Sequence, residues 1–211
     1  MIINVFKPRG WTSNDAVQKI KHNRGFKKVG HAGTLDPLAE GVLIVLTDED
    51  TKRQAEFMGL KKEYLVKIAF GYESDSHDLG TPLRPLGKDT AGNLTQEALK
   101  KALVKYIGKI QQQVPVYSSV HVKGQRLYEL ARGNGSVSLP FKEVEIYDIK
   151  ILSFKTGATA ELKVECGKGT YIRSLARDLG KDLGCGAVAV SLIRTKVGGY
   201  NIKDSLTLPI S

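Results

Sequence analysis

The sequence has almost no cysteine and no long apolar run, and both absences exclude whole classes of protein. Cys166 and Cys185 are its two cysteines among 211 residues, too few for a disulfide framework and consistent with reduced thiols in a cytoplasmic protein. No apolar stretch approaches the roughly 20 residues that cross a bilayer. The opening MIINVFKPRGWTS meets Pro8 and Gly10 before any apolar region of signal-peptide length develops, so neither export nor membrane attachment is expected. CxxC and HExxH are missing and the four histidines are scattered, so no metal site is expected either. Repeats and low-complexity linkers are absent too, and one domain over residues 1–211 is the economical reading.

What is present is positive charge. Thirty-two Lys and Arg stand against 22 Asp and Glu, a formal net charge of +10. A balance of this kind points to a polyanion, nucleic acid before acidic membrane, although many soluble proteins are basic without binding either. Part of the charge is local. KIKHNRGFKK (19–28) carries Lys19, Lys21, Arg24, Lys27 and Lys28 beside His22, which suits either a phosphate-binding surface or a solvated helix end.

Periodicity gives a coarse map. IINVF (2–6) reads as a strand, and Thr12 or Ser13 then offers an N-cap for a helix through Ile20. GVLIVLT (41–47) reads as a buried strand, 48–60 as a helix closed by Gly59, and 62–72 as an alternating strand with Tyr64, Val66, Ile68 and Phe70 on one face. Residues 73–94, rich in Asp, Gly, Pro and Ser, predict a long functional loop. Beyond them a helix at 95–107, a strand at 114–124, a short helix at 125–133, strands at 141–154 and 159–166, an amphipathic helix at 169–184 and a strand from Val188 are expected. Without strict βαβ alternation, the fold class is α+β with a largely antiparallel sheet.

Three groups of residues could carry chemistry. In VGHAGTLDPLAEGV (29–42), Pro37 holds Asp36 extended and Gly33 frees the turn before it, presenting a carboxylate directly ahead of a buried strand. On these grounds alone Asp36 is a turn residue, a metal ligand or a catalytic group. Arg173 falls in the first turn of the 169–184 helix, where a cation opposes the helix dipole. Such a cation wants a carboxylate or phosphate, with Asp36 a candidate; a solvated pair with Arg177 is the plain alternative. Tyrosines beside cations form the third group: Tyr64 after Lys61 and Lys62, Tyr171 before Arg173, and Tyr117 and Tyr128 around Lys123 and Arg126. They suit stacking on unpaired RNA bases or ordinary core packing.

Six ordered segments carry a resemblance to a known family. FKPRGWTSNDAV (6–17), GHAGTLDPLAEGVL (30–43), KEY (62–64), YSSVHVKGQRLYELARG (117–133), GKGTYIRSLARDLG (167–180) and LIRTKVGGY (192–200) are similar to the motifs of the TruB family of tRNA pseudouridine synthases. That resemblance implies a pseudouridine synthase fold with a thumb-like insertion over about 117–148, and isomerisation of uridine 55 in the tRNA T-arm without cofactor or metal by a monomeric enzyme. It makes Asp36 the essential aspartate and Arg173 its partner. Tyr64 becomes the tyrosine that stacks on the target base and serves in proton transfer. His31 becomes the residue that helps extrude the uridine, and Tyr171 and Leu192 become pocket residues. The 19–28 segment would then supply phosphate contacts. His121 stands where the family has lysine and Val114 where it has one of two prolines, and the family's C-terminal PUA domain is not expected within residues 1–211. An RNA-binding or RNA-folding module with dispensable activity and a guide-RNA-dependent relative are the competing readings.

Overall fold

The computed structural model describes residues 1–87, 90–118, 120–122, 125–127 and 138–208. Its frame is a mixed sheet in the order β14-β1-β3-β12-β4-β11-β10-β7. These strands are β1 (Ile2–Lys7), β3 (Glu40–Thr47), β4 (Lys62–Phe70), β7 (Gly108–Gln113), β10 (Phe141–Lys155), β11 (Thr159–Cys166), β12 (Ala187–Val197) and β14 (Leu206–Thr207). Short β2 (Val29–His31) adds to β3, and β13 (Tyr200–Asn201) adds to β12. Among the described strand pairs only β1 with β14 and β3 with β12 run parallel, so the expected α+β fold with a largely antiparallel sheet is what the chain forms.

The side-chain pattern explains the layers. In β4, Tyr64, Val66, Ile68 and Phe70 enter the main core, where α3 (Gln96–Leu103) and α4 (Ile172–Asp182) contribute Leu99, Leu103, Leu175 and Leu179. β3 is apolar on both faces and is covered on both. Leu43 and Val45 pack with Ala16, Val17 and Ile20 of α1 (Ser13–Arg24). Val42, Ile44 and Leu46 pack with Phe57 of α2 (Gln54–Gly59) and with Val197. A continuous apolar run in a strand means burial from both sides. α1 begins where the sequence placed it, with Thr12 and Asp15 forming a reciprocal cap.

Four expectations are corrected. Residues 48–60 do not form one helix: Asp48–Arg53 is 3₁₀ and only Gln54–Gly59 is α, and Asp48, at φ +47°, lies outside the right-handed helical region, so an α-helix cannot begin there. The 62–72 strand ends at Phe70. Gly71 turns with φ +85°, and β5 (Tyr72–Glu73) pairs instead with β6 (Arg84–Pro85). Of the strand expected at 114–124 only His121–Val122 forms among the described residues; the preceding strand, β7, ends at Gln113, ahead of Pro115, which has no N–H to give a ladder. The 125–133 helix is replaced at its start by β9 (Gln125–Arg126), paired with β8 (His121–Val122); residues 128–133 lie outside the described residues. Of the expected insertion at 117–148, residues 128–137 are likewise outside, while 141–148 lie in β10 against β7.

Candidate active site

The loop between β2 and β3 carries Asp36 and is held from three sides. Beneath it, Ser13 at the start of α1 closes a reciprocal pair with Leu35: its hydroxyl donates to the Leu35 carbonyl (3.1 Å) and accepts the Leu35 N–H (2.9 Å). Alongside, the Gly10 N–H donates to the Pro37 carbonyl (2.8 Å). Lys7, fully buried, donates its Nζ to the carbonyls of Pro8 (2.9 Å), Trp11 (2.6 Å) and Pro37 (3.4 Å). Burial lowers its pKa to about 8 against the pull of Asp36. From the sheet side, buried Arg194 of β12 donates Nε to the Val42 carbonyl (2.7 Å) and Nη2 to the Gly33 carbonyl (3.1 Å). Gly41 permits that approach: at φ +110°, a Cβ there would lie 2.2 Å from the Arg194 carbonyl oxygen.

Onto this braced carboxylate the chain brings Arg173, 137 positions away. Nε donates to Oδ2 (2.7 Å) and Nη2 to Oδ1 (2.9 Å), a side-on bidentate contact. Nη1 donates to the Ser76 carbonyl (2.7 Å), Nη2 also to the Tyr117 carbonyl (3.1 Å), and Asp78 Oδ2 lies 3.5 Å from Nε. The guanidinium is 4 % exposed and Asp36 33 % exposed. The cation is therefore sealed in and the carboxylate faces outward. Its position at the start of α4 opposes the helix dipole, and two carboxylates with two carbonyls offset that opposition.

Asp36 opens on a hollow walled by Arg9, Leu38, Leu79, Arg173 and Leu192, with Ala189–Ser191 along one side. A register shift between Ala189 and Ser191 breaks the β12–β4 ladder at this wall. Tyr64 lies under the site, 8 % exposed and opposite Arg194 on the neighbouring strand. Burial raises its pKa, Arg194 opposes this and Asp36 adds to it, so the hydroxyl keeps its proton near neutrality. Tyr171 directly precedes α4. Its N–H donates to Gln112 Oε1 (2.8 Å), and its carbonyl accepts from Gln112 Nε2 (3.0 Å). Burial raises its hydroxyl pKa, with Ser118 opposing and Asp36 adding.

Asp36, Arg173 and Leu192 thus line one hollow, and Tyr64 and Tyr171 feel the Asp36 charge. His31 stands apart in β2, opposite Val45, with a buried Nδ1 that has no hydrogen-bond partner among the described residues; burial and then Arg194 hold it neutral. Lys21, Arg24, Lys27 and Lys28 are exposed and Lys19 half-buried. Arg24 lies at the far end of α1, about 16 Å along the axis from the end that braces Leu35. Lys123 and Tyr128 fall outside the described residues. Sequence reasoning missed Lys7, Ser13, Ser76, Asp78 and Arg194, which hold the site from behind. Burial of a charged residue was the signal for Lys7 and Arg194, and it is visible only after folding. No group of acidic, His or Cys side chains among the described residues could hold a metal ion.

Comparison with solved structures matches the whole fold. One chain of a Cbf5–Nop10–Gar1 complex superposes with a TM-score of 0.74 at 27% identity, over 98% of this chain and 52% of that one. A chain of an H/ACA RNP bound to a substrate RNA containing 2'-deoxyuridine gives 0.71 at 25% identity, over 98% and 50%. This chain spans about half the length of those chains. An α+β sheet that superposes on these chains over nearly its whole length has the pseudouridine synthase fold. Residues 21–172 match the N-terminal domain of the TruB family pseudouridylate synthases. Among relatives, tRNA pseudouridine synthase B of Acaryochloris marina is 46% identical over 97% of this chain and 71% of its own length. The same-named protein of Thermotoga maritima is 39% identical over 98% and 66%. The chain belongs to the TruB family of pseudouridylate synthases.

Proposed function

We propose that this chain isomerises uridine to pseudouridine at position 55 in the T-loop of tRNA, as a monomer in the cytoplasm, without cofactor or metal. The observation that carries the reading is the outward-facing carboxylate of Asp36, held on both oxygens by a guanidinium that solvent does not reach. In the reaction the C1'–N1 bond of uridine breaks, the uracil turns, a C1'–C5 bond forms, the C5 proton leaves and N1 gains one. No water is added and no redox change occurs. Asp36 is the catalytic group at the sugar and base. Arg173 fixes both its oxygens, so the outer lone pairs point into the hollow. Tyr64 supports the base from beneath and takes part in proton transfer through a hydroxyl that keeps its proton. Leu192 and Tyr171 shape the pocket, and its apolar side excludes water while the uracil is detached.

A T-loop uridine is stacked inside folded RNA, so it must be flipped out at a cost of a few kcal/mol. Neutral, half-buried His31 is assigned to the space it leaves. Lys19, Lys21, Arg24, Lys27 and Lys28 contact phosphates and offset the cost of flipping. The test is an unmodified tRNA transcript incubated with the purified chain in chelator, with the product located by sequence. Pseudouridine at the T-loop uridine supports the proposal. Tight binding without product favours the RNA-binding module, and product only with an added guide RNA and protein partners favours the guide-dependent relative.

A further inference from the structure

Arg173 is held by the loop at Ser74–Thr81 as well as by Asp36, and that loop contains an unusual residue. His77 has φ +61°, the left-handed region that non-glycine residues seldom occupy. On one side of it the Ser76 carbonyl accepts Arg173 Nη1 at 2.7 Å. On the other side Asp78 Oδ2 lies 3.5 Å from Nε of the same guanidinium. The Ser76 carbonyl belongs to the peptide plane that rotates about the His77 N–Cα bond, so φ at His77 sets its direction relative to Asp78. Moving His77 to an ordinary φ near −60° would swing that carbonyl by about 120° and take it off Arg173.

The loop holds the residues on both sides of His77: the His77 N–H, in the same peptide plane as the Ser76 carbonyl, donates to the Ser74 carbonyl (3.1 Å), and the far side is fixed at Asp78. The Ser74 hydroxyl donates to the Asp78 carbonyl (2.7 Å), and the Gly80 N–H to Asp78 Oδ1 (2.8 Å). The Ser76 N–H donates to Thr81 Oγ1 (3.0 Å). The His77 carbonyl itself accepts the Ala189 N–H (3.0 Å), beside the bridge that ties Asp78 to β12. Its imidazole lies against Arg177, with Nε2 3.4 Å from Nη1, and is not among the described residues that line the hollow.

We propose that His77 is a positioning residue for the Asp36–Arg173 pair and acts through its left-handed backbone rather than its imidazole. Resting on the function proposed above, this predicts which substitutions are tolerated. Glycine and asparagine adopt a positive φ readily, alanine less so, and a β-branched residue least. His77→Gly and His77→Asn should keep kcat for pseudouridine formation within about threefold of the natural chain. His77→Val should lower kcat about tenfold or more while KM moves little, because the carboxylate is misplaced rather than the RNA released.

The experiment measures kcat and KM for these three variants and His77→Ala, with thermal midpoints as folding controls. Alongside, the NMR signal of the Arg173 Nε–H reads the ion pair without any substrate. The expected result is a natural-like Nε–H signal and kcat in the Gly and Asn variants, with both perturbed in Val. If Val does not fold, Ala falling below Gly and Asn in both readouts supports the same conclusion. A Val variant that matches the natural chain in both readouts overturns it, as do Gly and Asn variants that lose as much as Val. Should the natural chain make no pseudouridine, the reaction assignment fails, and the Nε–H signal still decides whether His77 positions Arg173.

Discussion

At the scale of single residues, the site is built from charges that the interior tolerates because each has partners. Arg173 has Asp36, Asp78 and two carbonyls, and Arg194 and Lys7 have backbone carbonyls of β3 and the loops around Asp36. His77 is the exception in kind: it stays neutral, its pKa lowered to about 4 by burial first and then by Arg177 and Arg173, while Asp75 and the Ser74 backbone pull the other way. The sign of its effect on stability follows directly. Between the ordinary 6.5 and about 4 the unfolded chain binds more protons than the folded one, so stability falls as pH drops through that window. His31, also lowered, adds in the same direction. Urea midpoints at about pH 7 and about pH 5 should therefore differ in the natural chain, and the difference should shrink in His77→Asn. An unchanged difference would mean that His77 is not held neutral.

At the scale of elements, α4 and β12 decide whether the pair can meet, since one presents Arg173 and the other Arg194 and the broken ladder at Ala189–Ser191. Their close approach depends on Gly180. A Cβ there would lie 2.2 Å from the Ala187 nitrogen and 2.4 Å from the Gly186 carbonyl carbon, while the Gly180 carbonyl accepts the N–H groups of Cys185 and Gly186. In an isolated helix Gly→Ala would gain about 1 kcal/mol. Here the clash is with backbone that cannot rotate aside, so Gly180→Ala should destabilise by about 2 kcal/mol or more in urea unfolding. A neutral or stabilised variant would refute this packing.

The elements also show what could be read from residues alone. The alternation of Tyr64, Val66, Ile68 and Phe70 predicted β4, and the dipole argument at Arg173 pointed to a carboxylate partner, because both signals are local. Ser76, His77 and Asp78 were hidden inside a loop recognised only by its composition. Their role depends on contacts with β12 and α4 about a hundred residues on, and no short-range pattern encodes those.

At the scale of the whole molecule, a net charge of +10 should make RNA binding steeply salt-dependent. Each phosphate contact contributes about 0.9 to the slope of log affinity against log salt on a duplex. Replacing Lys21 and Arg24 together with glutamine should therefore weaken tRNA binding and lower that slope by about 2, with single-turnover rates at saturation unchanged. Titrations over a range of salt read both quantities, and an unaltered slope would place the phosphates elsewhere on the surface.

The central claim is that the Asp36–Arg173 pair is the chemical unit. It is tested most directly by single-turnover pseudouridine formation in an unmodified tRNA transcript, comparing the natural chain with Asp36→Asn and Arg173→Lys while tRNA affinity is followed in parallel. Product at the T-loop uridine from the natural chain is expected. No product should come from Asp36→Asn, and the rate should fall about a hundredfold or more in Arg173→Lys, whose single ammonium cannot span both carboxylate oxygens. Affinity should stay within a few-fold throughout. Undiminished product from Asp36→Asn with tRNA still bound would contradict the account.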